Sequence, residues 1–239
     1  MIKTSRRSEW MILNTIEIST KTVLKGFCDN AWFLERREIV CGRYHVDEEM
    51  AKEIERIIQL SDENVRKRAS INIQMQARDL HPTEIAPVLT ASDSGLECSL
   101  KRWGLPGFQK KQVIFNARSE SALEKKSFKE GMEHRRIVIP AAWFYEWNRH
   151  KEKNMFYRKG KPVLFMAGIY NHYEDGDRFT ILTTQANASM EPIHDRMPLV
   201  LEENEIIPWI FDRQKAREYL RKVPGMLDRK AEYEQLRLL

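Results

Sequence analysis

Four short clusters of chemically capable residues follow one another along the chain: Cys41-Gly42-Arg43-Tyr44, Asn116-Ala117-Arg118-Ser119-Glu120, Trp143-Phe144-Tyr145-Glu146-Trp147 and His194-Asp195-Arg196-Met197-Pro198. A cysteine that meets a histidine in the fold is a recurring nucleophile pair, so Cys41, His194 and Asn116 could serve a thiol peptidase. Arginines interleaved with tryptophans could equally make a non-catalytic module that binds single-stranded nucleic acid. Each cluster also has an ordinary structural reading. A buried free cysteine is usually a small hydrophobe, a glutamate between aromatics can be a strand residue facing solvent, and a histidine before Asp-Arg can cap a turn. Cys28, Cys41 and Cys98 are too few and too scattered for a disulfide framework, and no CxxC or HxxxH pair offers metal-ligand spacing. Neither a metal nor a cofactor is expected.

The elements that must position these clusters are mostly strands. Met50, Ile54, Ile57, Ile58 and Val65 recur at helical spacing and predict a helix from Asp47 to about Arg68, with Asp47 as N-cap and Glu48 and Glu49 in the first turn. Strand-like runs then follow at Ile85 to Leu89, Val113 to Phe115, Ile137 to Ile139, Phe144 to Trp147, Val163 to Tyr170 and Phe179 to Thr184. Glu174-Asp175-Gly176-Asp177 signals a hairpin between the last two. Short connections imply largely antiparallel pairing. Further helices are predicted at Ser121 to Glu130, Glu203 to Ile210 and Asp212 to Arg221. The expected architecture is α+β: a single domain with a mostly antiparallel, barrel-like β core and peripheral helices.

Of the 239 residues, 42% are hydrophobic and 31% charged, enough for a packed core, and the net charge of +5 favours a polyanionic partner only mildly. The longest apolar runs, such as Ile137 to Phe144, are too short to span a bilayer. A soluble, cytoplasmic monomer is expected. Residues 1 to 40 carry Ser/Thr-rich patches without a clean period and read as a leader, distinct from a domain covering 41 to 239.

In this order the four clusters resemble the SOS response-associated peptidase family, whose pattern is CGR, NARxE, a FYEW-type strand and HxRMP. The resemblance covers about residues 41 to 211. Pro82-Thr83 with Ala86-Pro87-Val88, Trp103-Gly104-Leu105 and Thr183-Thr184-Gln185-Ala186-Asn187 match further family segments. The resemblance implies a protein of the DNA damage response that binds abasic sites in single-stranded DNA. There an N-terminal cysteine forms a thiazolidine with the sugar aldehyde, with peptidase or lyase-like activity alongside, and the protein is nucleoid-associated when bound. It further implies Cys41 as nucleophile, Glu146 as the base on its amine, His194 as the acid/base group at the sugar, and Asn116 as a hydrogen-bonding anchor. Arg43, Arg118 and Arg196 would contact DNA, and Trp103 and Trp143 are candidate base-stacking surfaces beside a core-packing alternative.

One feature conflicts with that chemistry: forty residues precede Cys41, which therefore lacks a free α-amine in the chain as written. Either the leader is removed by proteolysis, or translation starts at Val40 from a GUG codon. The second is the preferred expectation, since Arg36-Arg37 could encode a purine-rich ribosome-binding sequence. Trp143 stands where the family often has Gly, and Gln74-Met75-Gln76 replaces a more usual approach to the APV segment.

Overall fold

The computed structural model describes residues 40–61, 75–93, 95–109 and 111–231. The chain enters it at Val40, runs through β1 (Arg43–Val46) and turns into α1 (Glu48–Ser61). Asp47 caps that helix as expected, its carboxylate accepting the Met50 N–H at 2.8 Å. Met50, Ile54, Ile57 and Ile58 are buried against the sheet, each contributing roughly 1.5–3 kcal/mol. The predicted continuation to Arg68, and the leader with Cys28, lie outside the described residues.

Next come β2 (Arg78–Leu80), β3 (Ile85–Ser92), β4 (Gly95–Trp103), β5 (Leu105–Pro106), β6 (Val113–Ile114) and β7 (Asn116–Arg118). After α2 (Lys126–His134) follow β8 (Arg136–Ala141), β9 (Trp143–Trp147), β10 (Lys153–Tyr157), β11 (Leu164–Tyr173), β12 (Gly176–Gln185), β13 (Arg196–Pro198) and β14 (Val200–Leu201). Two short helices, α3 (Ile206–Phe211) and α4 (Arg213–Tyr219), and a last strand β15 (Asp228–Ala231) complete it.

β12, β4, β3, β8 and β11 pair in succession and β11 returns to β12, so these strands close into a barrel. Closure removes the edges that an open sheet would leave unpaired. Its core is aliphatic and aromatic: Val88, Leu89, Trp103, Ile137, Ile139, Phe179 and Ile181 are all inaccessible to solvent. A second sheet in the order β15-β10-β9-β1-β2 lies beside it. The hairpin turn is where the sequence predicts it, with Tyr173 opposite Gly176 and a positive φ of 110° at that glycine.

Pairing is antiparallel except that β12 runs parallel to β4 and to β7. Both partners are separated from β12 by α2 and several strands, so the chain has room for a parallel return. The helix expected at Ser121 to Glu130 begins later, at Lys126, after a 3-10 turn at Ser119–Ser121. Its buried face is Phe128, Gly131 and Met132, one face of a single helical turn. α4 starts where predicted because Asp212 accepts the N–H groups of Gln214 and Lys215.

Candidate active site

β1 lies antiparallel to β9 with Arg43 opposite Tyr145 and Tyr44 opposite Phe144. That register carries Cys41, just before β1, to the Glu146 end of β9. Cys41 is fully buried and Glu146 is 5% exposed. The Cys41 backbone N–H donates to Glu146 Oε2 at 2.8 Å, and the Trp147 N–H donates to Oε1 at 3.1 Å. The Cys41 thiol points to Met166 Sδ at 3.9 Å. On the other side of the same peptide, Asn116 Nδ2 donates to the carbonyl oxygen of Val40. The Val40–Cys41 peptide is thus gripped at both ends, oxygen by Asn116 and nitrogen by Glu146. Cys41 itself has φ of 52°, in the left-handed region that a side-chain-bearing residue adopts at a cost.

Burial dominates the electrostatics. It pushes the Glu146 carboxyl up to about 7, against the two N–H donors that pull it down. The Cys41 thiol is raised well above its ordinary value, first by burial and then by the charge of Glu146. At neutral pH the thiol is therefore protonated while the carboxyl beside it titrates, a pairing suited to moving a proton.

β12 organises the remaining groups. It pairs with β7 on one side, setting Asn116 opposite Ile181, and with β13 on the other, setting Arg196 opposite Gln185. His194 precedes β13, half-buried, and its Nδ1 accepts the Arg196 N–H at 3.0 Å. The same Nδ1 lies 2.9 Å from Asp195 Oδ1. Burial lowers its pKa, Asp195 raises it and Arg196 lowers it further. Direct hydrogen bonds join Cys41 to Glu146 and Asn116 to Val40, whereas the His194 ring is bonded to its own neighbours in the chain.

Two residues named as nucleic-acid contacts are engaged within the protein, Trp103 in the core-packing alternative weighed for it. Trp103 is fully buried, packed against Tyr44, Phe115 and Phe179, and its indole N–H donates to the Phe115 carbonyl at 3.0 Å. Its role is core packing, because a ring without accessible surface offers no face to a base. The Arg196 guanidinium is forked onto Glu120 at 2.6 and 2.8 Å and reaches the Thr183 carbonyl at 2.6 Å. It ties the 3-10 turn after β7 to β12. Arg118 is exposed. Arg43 is one third exposed, 4.0 Å from Asp79 and stacked over the Trp147 ring. Trp143 is partly exposed and lies flat against His45.

Sequence reasoning missed Phe108, which is 91% exposed in the turn joining β5 and β6. An aromatic set between the turn pair Pro106-Gly107 and the basic residues Lys110 and Lys111 was the available signal. Among the described residues no group of His, Cys, Asp and Glu could hold a metal ion, and no helix is long and apolar enough to cross a membrane.

The fold is shared with crystal structures of a Bacteroides thetaiotaomicron protein (TM-score 0.63, 22% identity, 83% of this chain and 95% of that one) and a Bordetella bronchiseptica protein (TM-score 0.62, 21% identity, 80% and 99%). Abasic site processing protein YoqW of Bacillus subtilis is 30% identical over 204 residues, covering 77% of this chain and 86% of its own. Abasic site processing protein YedK of Escherichia coli is 30% identical over 139 residues, 55% and 63% of the two chains. Abasic site processing protein HMCES of Xenopus tropicalis is 29% identical over 141 residues, 44% and 42%. The sequence profile of the SOS response associated peptidase (SRAP) family matches residues 40–237, from the residue whose carbonyl Asn116 holds to the tail beyond β15, and the chain belongs to that family.

Proposed function

We propose that the protein processes abasic sites in single-stranded DNA, trapping the ring-opened sugar as a covalent thiazolidine on Cys41. The observation that carries this reading is the double grip on the Val40–Cys41 peptide. In a chain that begins at Cys41, the atom held by Glu146 is an α-amine. That amine adds to the C1′ aldehyde, water leaves, and an imine remains. The thiol then adds across the C=N bond, its proton passing to nitrogen and its sulfur bonding to C1′, which closes a five-membered ring. The Val40 carbonyl carbon, bonded to the same nitrogen, stands in for C1′. Asn116 Nδ2, which donates to the Val40 oxygen, is accordingly positioned for the hydroxyl of the carbinolamine that precedes the imine. Glu146, whose carboxylate lies 2.8 Å from that nitrogen, takes the amine's proton and returns it. His194, half-buried just before β13, supplies the proton for sugar ring opening. Arg43 and Arg118 grip phosphates beside the lesion, and Phe108 offers the exposed ring for a neighbouring base that Trp103 does not.

The test is incubation of protein beginning at Cys41 with an abasic single-stranded oligonucleotide. A cross-link that survives denaturing electrophoresis is expected, lost in Cys41→Ala and slowed in Glu146→Ala, Asn116→Ala and His194→Ala. Unmodified DNA would end the proposal. Binding should weaken as salt rises, because phosphate contacts release counterions.

A second reading is favoured by the φ of 52° at Cys41. Strain at a peptide whose oxygen and nitrogen are both held suits self-cleavage. The thiol attacks the Val40 carbonyl, the C–N bond breaks with a proton to the released amine, and water hydrolyses the thioester. This would expose the amine that trapping needs, as would initiation at Val40. Intact-mass analysis of the purified full chain separates them: self-cleavage yields a species starting at Cys41 that Cys41→Ala does not form.

A further inference from the structure

β9 divides two environments. Alternation along the strand sets Glu146 and Phe144 on one side and Trp143, Tyr145 and Trp147 on the other, where Trp143 and Trp147 are partly exposed and Tyr145 is 9% exposed. Register extends that face across the sheet. Arg43 sits opposite Tyr145, Tyr145 opposite Met155, and Met155 opposite Lys230. Trp147 lies opposite Lys153. His45 lies opposite Trp143 with Asp79 beyond it.

The side chains are arranged rather than merely exposed. The His45 and Trp143 rings are parallel within 4° at a centroid separation of 4.0 Å, and Asp79 holds His45 Nδ1 at 2.8 Å. The indole is thereby fixed upright with one face covered. Cations ride on the other two rings: Lys153 Nζ lies 4.2 Å from the Tyr145 centroid and the Arg43 guanidinium 5.3 Å from that of Trp147. Two partly exposed indoles, Trp143 and Trp147, with Arg43 and Lys153 close by match a chain that alternates flat bases with phosphates. The face carries two acids, Asp79 on β2 and Asp228 opposite Tyr157 on β15, beside the cations Arg43, Lys153 and Lys230. Arg43 is two residues from Cys41, so this face begins on the strand that follows the nucleophile.

We infer that the outer face of β1, β9, β10 and β15 is a track for undamaged single-stranded nucleic acid leading away from the Cys41 pocket, with the braced Trp143 as a base-stacking step and Lys153 and Lys230 as phosphate contacts. The inference rests on the reading of the Cys41 pocket as a place where a nucleic-acid strand passes. Alternate residues on a strand are about 7 Å apart, so Trp143 lies one such step beyond Tyr145 and Arg43.

The test uses the full chain and a fluorescent, undamaged oligothymidylate of about 16 nucleotides, with affinity read by anisotropy at low salt. The double change Lys153→Glu with Lys230→Glu is expected to weaken binding at least about tenfold, with a shallower salt slope. Trp143→Ala is expected to weaken it roughly tenfold and Trp143→Phe by less. At saturating abasic DNA, protein beginning at Cys41 with both lysines reversed should cross-link at the parental rate. Parental affinity in the lysine variant overturns the track, whether the face is covered by a protein partner or by another part of this chain. If Trp143→Ala fails to fold, the two surface lysines decide alone. Should no variant cross-link abasic DNA while the lysine reversal still weakens oligothymidylate binding, the lesion chemistry fails and the track stands.

Discussion

Glu146 is the residue on which chemistry and stability meet. Burial holds its carboxyl near 7, whereas in an unfolded chain it ionises near about 4.3. Between those values the folded state binds the extra proton, so stability falls as pH rises through that window. At about 1.4 kcal/mol per pH unit the loss over the whole window is about 3–4 kcal/mol. Glutamine at this position cannot ionise. The stability of Glu146→Gln relative to the parent should therefore improve by about 3 kcal/mol between pH 4 and pH 8, measured by urea unfolding of the full chain. A difference that does not move with pH would mean that the folded carboxylate stays charged throughout. In a chain beginning at Cys41 the α-ammonium would favour the carboxylate and flatten the profile. This residue was legible in the sequence only through the order of the four motifs, since a glutamate among aromatics does not by itself reveal which face of the strand it takes.

At the scale of elements, legibility followed periodicity rather than length: the nine-residue β4, its apolar residues interrupted by Glu97, Lys101 and Arg102, was missed, while the two-residue β6 lay within a predicted run. The helix beginning at Glu48 announced its buried face through Met50, Ile54, Ile57 and Ile58, and the hairpin of β11 and β12 through its turn. β1, β2, β10 and β15 escaped notice because each has three to five residues, mixing charged groups with apolar ones over too short a span to establish a period. These are the strands of the second sheet other than β9, and their pairing creates the outer face carrying Trp143 and Lys230. Trp103 was ambiguous for a different reason: a tryptophan's sequence neighbours do not tell whether its ring is inside a barrel. Within that barrel Gly168 permits β11 to pass close to its neighbours. A Cβ there would lie 2.4 Å from Ile139 Cδ1 and 2.8 Å from the Thr180 carbonyl oxygen. Gly168→Ala is expected to destabilise by about 1–3 kcal/mol in chemical denaturation, and an unaltered midpoint would show that the strands can separate without penalty.

Over the whole molecule, the C-terminal segment is tied back to the body by a polar clasp. Asn187 Nδ2 donates to the carbonyls of Pro224 and Gly225 at 2.9 and 3.0 Å, and its Oδ1 accepts the Ser189 N–H at 2.9 Å. Ser189 Oγ accepts the Leu227 N–H at 3.1 Å, just before β15 pairs with β10. Asn187→Ala leaves the carbonyl of the buried Pro224 without that donor and should cost about 1–3 kcal/mol. Amide hydrogen exchange should quicken in 224 to 231 before it does in the barrel. Uniform protection would show that the clasp does not hold β15. The Thr-Thr-Gln-Ala-Asn segment was recognisable in the sequence, but not its partner, because Pro224 lies 37 positions away and the pairing exists only in three dimensions.

The alternation of β9 has a consequence for how this protein tolerates change in length. With Glu146 on one side and Tyr145 and Trp147 on the other, losing or gaining a single codon within 143 to 147 would invert the strand, presenting the acid to solvent and an indole to the nucleophile. The tight bend after it, closed by the Lys151 N–H on the Asn148 carbonyl, carries no such double duty. Systematic insertion scanning should therefore find a sharp border at Asn148, with every in-frame length change before it silencing the protein and many after it accepted.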